Sequence, residues 1–146
     1  MKTFTIGFTQ KTAEKFFSLI KKNNIIRVVD VRLNVTSQLA GFAKKNDLAY
    51  FLKELCKVDY IHLLDLAPTK PMLDAYKNKA ITWESYSDKF INLMAQRNIE
   101  RTIDKSLIDN GCLLCSEHQP HQCHRRLVVE YLNKQWDENI KIVHLS

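Results

Sequence analysis

Gly111-Cys112-Leu113-Leu114-Cys115-Ser116-Glu117-His118-Gln119-Pro120-His121-Gln122-Cys123-His124-Arg125-Arg126 decides how the rest of the chain is read. It opens as a short apolar run, breaks into a polar loop holding a proline, and resumes as an amphipathic helix. That is a strand, a turn and a helix start near Gln122 or Cys123. Three of the four cysteines and three of the five histidines lie inside it.

The same alternation repeats outward from this stretch. Phe4 to Phe8 reads as a strand with Gly7 near its exit, and Thr9 or Thr12 can cap a helix carrying Ala13, Phe16, Phe17 and Ile20 on one face. Ile25 to Val31 is apolar on both faces, as in a buried parallel strand, and leads into Asp30-Val31-Arg32. A long irregular connection, Leu33 to Lys45, precedes a helix capped by Asp47 with Leu48, Phe51, Leu52 and Leu55 facing inward. Asp59 to Leu64 makes a third strand, with Asp65 at its exit. Pro71 to Asn110 reads as helical throughout, with Pro71 in a first turn, Thr82 capping a helix that bears Trp83, Tyr86, Phe90, Leu93 and Met94, and Ile99, Ile103 and Leu107 marking another. A helix with Leu127, Val128, Tyr131, Leu132 and Trp136 follows the central stretch, and Ile140 to Leu145 makes a last strand.

The order β-α-β-α-β, a helical insertion, then β-α-β predicts a single three-layer α/β domain over residues 1–146. Its sheet is mostly parallel, of about five strands, with helices on both faces. Ligands bind such sheets outside the carboxyl ends of the strands. Asp30, Arg32, Asp65 and the residues from Cys115 through Arg125 all fall at predicted carboxyl ends, so they are expected to share one crevice.

Composition narrows the classes. A chain of 146 residues with 45% hydrophobic content can bury a core without disulfide staples. No run of about 18 apolar residues occurs, so no membrane span is expected. The first residues are too strand-like for a signal peptide, and four cysteines without a secretory signal predict free thiols and a cytoplasmic location. A net charge of +6 favours anionic partners, either a small molecule or nucleic acid.

Two chemistries suit the central stretch. Cys112-x-x-Cys115 looks like half a zinc knuckle, but residues three apart on a strand point to opposite faces, so these two should not chelate one ion. Cys112 then reads as a small buried hydrophobe. A set of Cys115, His118, His121 and Cys123 is the metal arrangement that remains, and no metal is assigned. The other chemistry is an anion site with a reactive thiolate. A helix start beside Arg125 favours a bound phosphate, sulfate or carboxylate, and the same field makes a nearby thiol nucleophilic. Against this stands packing alone, with Cys115 and Cys123 as buried thiols and Arg125 paired with Glu117 or Asp30.

Glu117 is placed to exchange a proton or orient an arginine. Among the histidines, only His124, pinned at the helix start, is expected to face the crevice. His62 and His144 read as structural, and Trp83 and Tyr86 mostly as core, although one could cover a ligand face.

Thr5-Ile6-Gly7, Val29-Asp30-Val31-Arg32, Tyr60-Ile61-His62-Leu63, Leu114-Cys115-Ser116-Glu117 and Cys123-His124-Arg125 occur in the order and rough spacing of a known family. On these motifs the chain resembles the domain of unknown function family DUF488 over nearly its whole length. The pair Leu-Cys-x-Glu and Cys-His-Arg is the most specific part. The resemblance implies a compact α/β fold, a small cytoplasmic protein and a polar site at the matching positions; it implies no assigned activity. Members often carry a histidine where this chain has Phe8, and Leu-Gly-Gly where it has Leu66-Ala67-Pro68.

The expected function is an enzyme-like crevice for an anionic ligand such as a nucleotide, a nucleic-acid component or another phosphorylated molecule. Asp30, Arg32 and Arg125 are the candidate ligand-binding residues, and Cys115, Glu117, Cys123 and His124 the candidate catalytic ones. No cofactor is assigned. The alternative readings are a non-catalytic nucleic-acid-binding module using Lys44, Lys45, Lys70, Arg125 and Arg126, and a structural polar cluster with no ligand.

Overall fold

A computed structural model describes residues 1–117 and 120–146, with Gln38 and Leu39 described by their backbone alone. Five strands run parallel in the order β3-β2-β4-β1-β5: β1 (Lys2–Gly7), β2 (Arg27–Asp30), β3 (Asp59–His62), β4 (Gly111–Cys115) and β5 (Lys141–Leu145). The register sets Gly7 opposite Cys115 and Asp30 opposite both Leu114 and His62.

Right-handed crossovers explain where the helices lie. The chain moves one way across the sheet from β1 through β2 to β3. The links carrying α1 (Ala13–Lys22) and α2 (Lys45–Phe51) therefore cover one face. It then moves the other way from β3 through β4 to β5. The opposite face accordingly receives α3 (Lys70–Lys77), α4 (Trp83–Gln96), α5 (Ile99–Thr102), α6 (Lys105–Ile108) and α7 (His124–Trp136). Two cores result. Phe4, Ile6, Phe16, Ile20, Val28, Leu48, Leu52, Cys112 and Leu114 fill the first. Val29, Val31, Tyr86, Phe90, Met94, Leu113, Cys115, Cys123 and Val128 belong to the second. The α/β class, the five strands and the helices on both faces are as the sequence predicts, and the sheet is wholly parallel. Among the described residues no helix is long and apolar enough to cross a membrane.

Local departures have local causes. Thr12, not Thr9, caps α1 by accepting from the Lys15 N–H. Helix α2 begins at Lys45, so Asp47 lies inside its first turn instead of capping it. A carboxylate there still complements the positive end of the helix dipole. Beyond Phe51 the helix widens into a π turn over Leu52–Cys56, which rotates Leu55 out to 51% exposure instead of facing it inward. The second strand begins at Arg27, because Asn24 takes a left-handed backbone and Ile26 is half exposed. The third ends at His62, where a short 3₁₀ turn begins at Leu64. The stretch from Pro71 to Asn110 is helical as read, in four helices, and Thr82 caps the second of them by accepting from the Ser85 N–H. The stretch breaks at left-handed Lys79 and Asn98 and again at extended Ile103, after which Asp104 caps the next turn.

Candidate functional site

Strand β4 occupies the place where winding reverses. The strands on either side of it, β1 and β2, pass to helices on one face, whereas β4 itself passes to α7 on the other. The connections therefore part over its carboxyl end, and a crevice opens there. The cleft found at that point measures about 620 Å³ out to its open mouth. Arg32, Cys115, Cys123 and His124 line it, Tyr76, Trp83 and Tyr86 form an aromatic wall, and Glu117, Lys77 and Asn34 also border it.

Cys115 ends β4 and His124 begins α7, so the loop between them folds the two side chains together. His124 Nδ1 lies 3.5 Å from Cys115 Sγ, while His124 Nε2 lies 2.7 Å from the Val31 carbonyl. A carbonyl only accepts, so Nε2 carries a hydrogen and Nδ1 is left to face the sulfur. The imidazole is packed 5.4 Å from the Phe90 ring, which fixes its plane. Burial pushes the Cys115 thiol up, but the opposing influences win. The Cys123 S–H, the Glu117 and Ser116 backbone N–H groups and the Arg125 charge together hold it below its ordinary range. Cys123, the residue preceding α7, is itself pushed up by burial and by the neighbouring Cys115.

The Asp30–Arg32 motif builds one wall. Arg32 Nε and Nη2 donate to the two Asp30 oxygens at 2.8 and 2.6 Å, and Nη2 also donates to the Ala43 carbonyl at 2.7 Å. Both side chains are buried, and the Tyr60 hydroxyl donates to Asp30 Oδ2 at 2.6 Å. Among the described residues, Arg32 Nη1 is buried with no hydrogen-bond partner. The guanidinium is thus held on two edges by the protein, with one nitrogen left unsatisfied. Phe8 packs its ring 5.3 Å from the Arg32 guanidinium carbon.

Arg125 lies elsewhere than the sequence reading placed it. It is fully buried, does not line the cleft, and donates from Nη1 to the Glu117 backbone carbonyl at 2.6 Å. Gly7 makes this contact possible, since a β-carbon there would stand 1.6 Å from that oxygen and 2.9 Å from Arg125 Nη1. Arg125 thus shapes the loop and lends Cys115 its charge from behind. Its burial also removes it from the surface proposed for nucleic acid, where Lys70 pairs with Asp74 and Arg126 with Glu130. Asp30 likewise sits behind Arg32, outside the cleft, and Glu117 is exposed at the mouth. Asp65 is exposed and away from the cleft, with its carbonyl taken by Arg97.

Three donors of metal-binding type gather here, since ligand atoms of Cys115, Cys123 and His124 lie within 4.8 Å of one another. Among the described residues no fourth Cys, His, Asp or Glu joins them, short of the four ligands of a closed structural zinc site. His121 of the four-residue set considered above is exposed and outside the group, and His118 lies outside the described residues. Cys112 belongs to the opposite core, as the period of a strand requires.

Sequence reasoning missed Tyr60, the Ala43 carbonyl and Tyr76. Tyr60 reaches Asp30 only because β3 pairs with β2, and Ala43 comes from near the end of the irregular connection. Trp83 and Tyr86 have the helical spacing that assigns them to the core, and Tyr86 is indeed buried, yet both also line the cleft. His62 and His144 hold structure, bonding the Arg32 carbonyl at 2.7 Å and the Thr5 hydroxyl at 2.6 Å.

No curated protein and no solved structure matches this chain. The family model described as domain of unknown function DUF488 matches residues 12–132, and the chain belongs to that family.

Proposed function

We propose that the cleft is the active site of a cysteine-nucleophile enzyme acting on a phosphorylated, nucleotide-like substrate. The observation that carries the reading is the 3.5 Å approach of His124 Nδ1 to Cys115 Sγ with the far nitrogen committed to Val31. A thiol whose proton has a fixed acceptor, and whose sulfur faces backbone N–H groups and an arginine, is an activated nucleophile.

In this scheme His124 Nδ1 takes the Cys115 proton and the sulfur bonds to the electrophilic atom of the substrate. The bond to the leaving group breaks, and the leaving group takes the proton back from the imidazolium. Water, deprotonated by His124, then displaces the sulfur as thiolate and completes the cycle. Arg32 Nη1 holds an anionic group, and Tyr76 and Trp83 offer ring surface to a planar base. Arg125 acts as a positioning residue.

Protection from alkylation tests both halves. Iodoacetamide should label Cys115, and millimolar adenosine monophosphate should slow that labelling in the native chain but not in Arg32→Met. Labelling of Cys115 at the same rate with and without the nucleotide would overturn the assignment of substrate class.

A further inference from the structure

The scheme above leaves Cys123 without a task, although it lines the cleft and is buried beside the nucleophile. Its sulfur lies within 4.8 Å of the ligand atoms of Cys115 and His124. The remaining cysteines cannot take its place. Cys112 is on the opposite face of the sheet, and Cys56 follows α2 in the opposite layer with its thiol on the Phe17 carbonyl. We infer that Cys115 and Cys123 form a redox pair that reduces a hydroperoxide and closes to an intramolecular disulfide. The inference rests on the reading of Cys115 as a reactive thiolate.

The Cys115 thiolate attacks the terminal peroxide oxygen, forming an S–O bond as the O–O bond breaks. Sulfur is oxidised by two electrons, and the peroxide leaves as alcohol or water after taking one proton. The Cys123 thiol then attacks the sulfenic sulfur; an S–S bond forms, the S–O bond breaks, and the hydroxyl departs as water with the Cys123 proton. An external dithiol returns both residues to thiols and is itself oxidised to a disulfide. The site favours this order. Cys123 is held protonated by burial and by the charge on Cys115, and sulfenic acid formation removes that charge. Oxidation of the first cysteine therefore removes one of the influences that hold the second protonated. Both sulfurs border a cleft open to solvent, so a small peroxide has access.

The test uses the full chain, reduced, stripped of metal with a chelator and freed of reductant, then given one equivalent of hydrogen peroxide. Intact mass spectrometry should show loss of two hydrogens, and peptide mapping should place the link between Cys115 and Cys123. Cys123→Ser should instead retain one added oxygen at Cys115, trapped by dimedone, and Cys115→Ser should stay unoxidised. A link through Cys56 or Cys112, or dimedone labelling of the native chain equal to that of Cys123→Ser, would overturn the pair. Iodoacetamide labelling run in parallel separates the two readings. Fast labelling of Cys115 without a disulfide removes only the pair, whereas labelling no faster than at Cys112 removes the nucleophile as well.

Discussion

Cys112 and Cys115 stand three residues apart in one strand, both buried, on opposite faces of one sheet. Burial pushes the Cys112 thiol far up, because its surroundings are the aliphatic and aromatic side chains packed under α1 and α2, and the Arg125 charge lowers it too little to compensate. The Cys115 thiol meets the same burial and is held below its ordinary range. What differs is the supply of donors. Arg125 acts on both thiols, but only the face under α7 brings a second thiol and two backbone N–H groups to the sulfur, and an imidazole to its side. Burial alone makes a cysteine inert, whereas burial among fixed donors makes it reactive.

Breaking the buried pair beside the cleft has the largest expected effect. Asp30→Asn leaves the Arg32 guanidinium charged and buried without its partner, a loss of about 3–5 kcal/mol that urea unfolding would measure. Adding Arg32→Met to the same chain should recover much of it, because the stranded charge is gone. Next comes Gly7→Ala. The new methyl collides with the Glu117 backbone carbonyl, so the loop must shift, at the upper end of about 1–3 kcal/mol. The shift also pulls the Glu117 N–H and Arg125 from Cys115, and its alkylation rate should fall toward that of Cys112. Tyr60→Phe is the smallest change. It removes one hydrogen bond to a buried carboxylate and costs about 1.5–3 kcal/mol if no water replaces it, the lower end being expected at this half-buried position. The difference between the two cysteines should survive it, since Tyr60 is among the causes of neither thiol's shift and β3 is not adjacent to β4.

How far the sequence carries is clear from these same residues. Periodicity alone places Cys112 and Cys115 on opposite faces and Asp30, Arg32 and Cys115 at one edge, because a strand alternates and parallel strands end together. The meeting of His124 with Cys115 follows from a loop leading straight into a helix. The role of Arg125 does not follow. Its side chain turns inward only because Gly7, on a strand distant in sequence, leaves room for the Glu117 carbonyl. Strand order was equally illegible, and with it the contact of Tyr60 with Asp30. The aromatic wall was half hidden, since helical spacing marks Trp83 and Tyr86 as core and the fold uses them as core and cleft together.

The pH dependence of native alkylation tests the central claim most directly. A thiol held below its ordinary value keeps its thiolate as pH falls, so the rate at Cys115 should stay on its plateau until below the usual cysteine midpoint of about 8.5 and only then decline. Cys112 should remain unlabelled across the same range until the chain unfolds. A Cys115 midpoint at or above that of a free thiol, or labelling of both cysteines at one rate, would contradict the account.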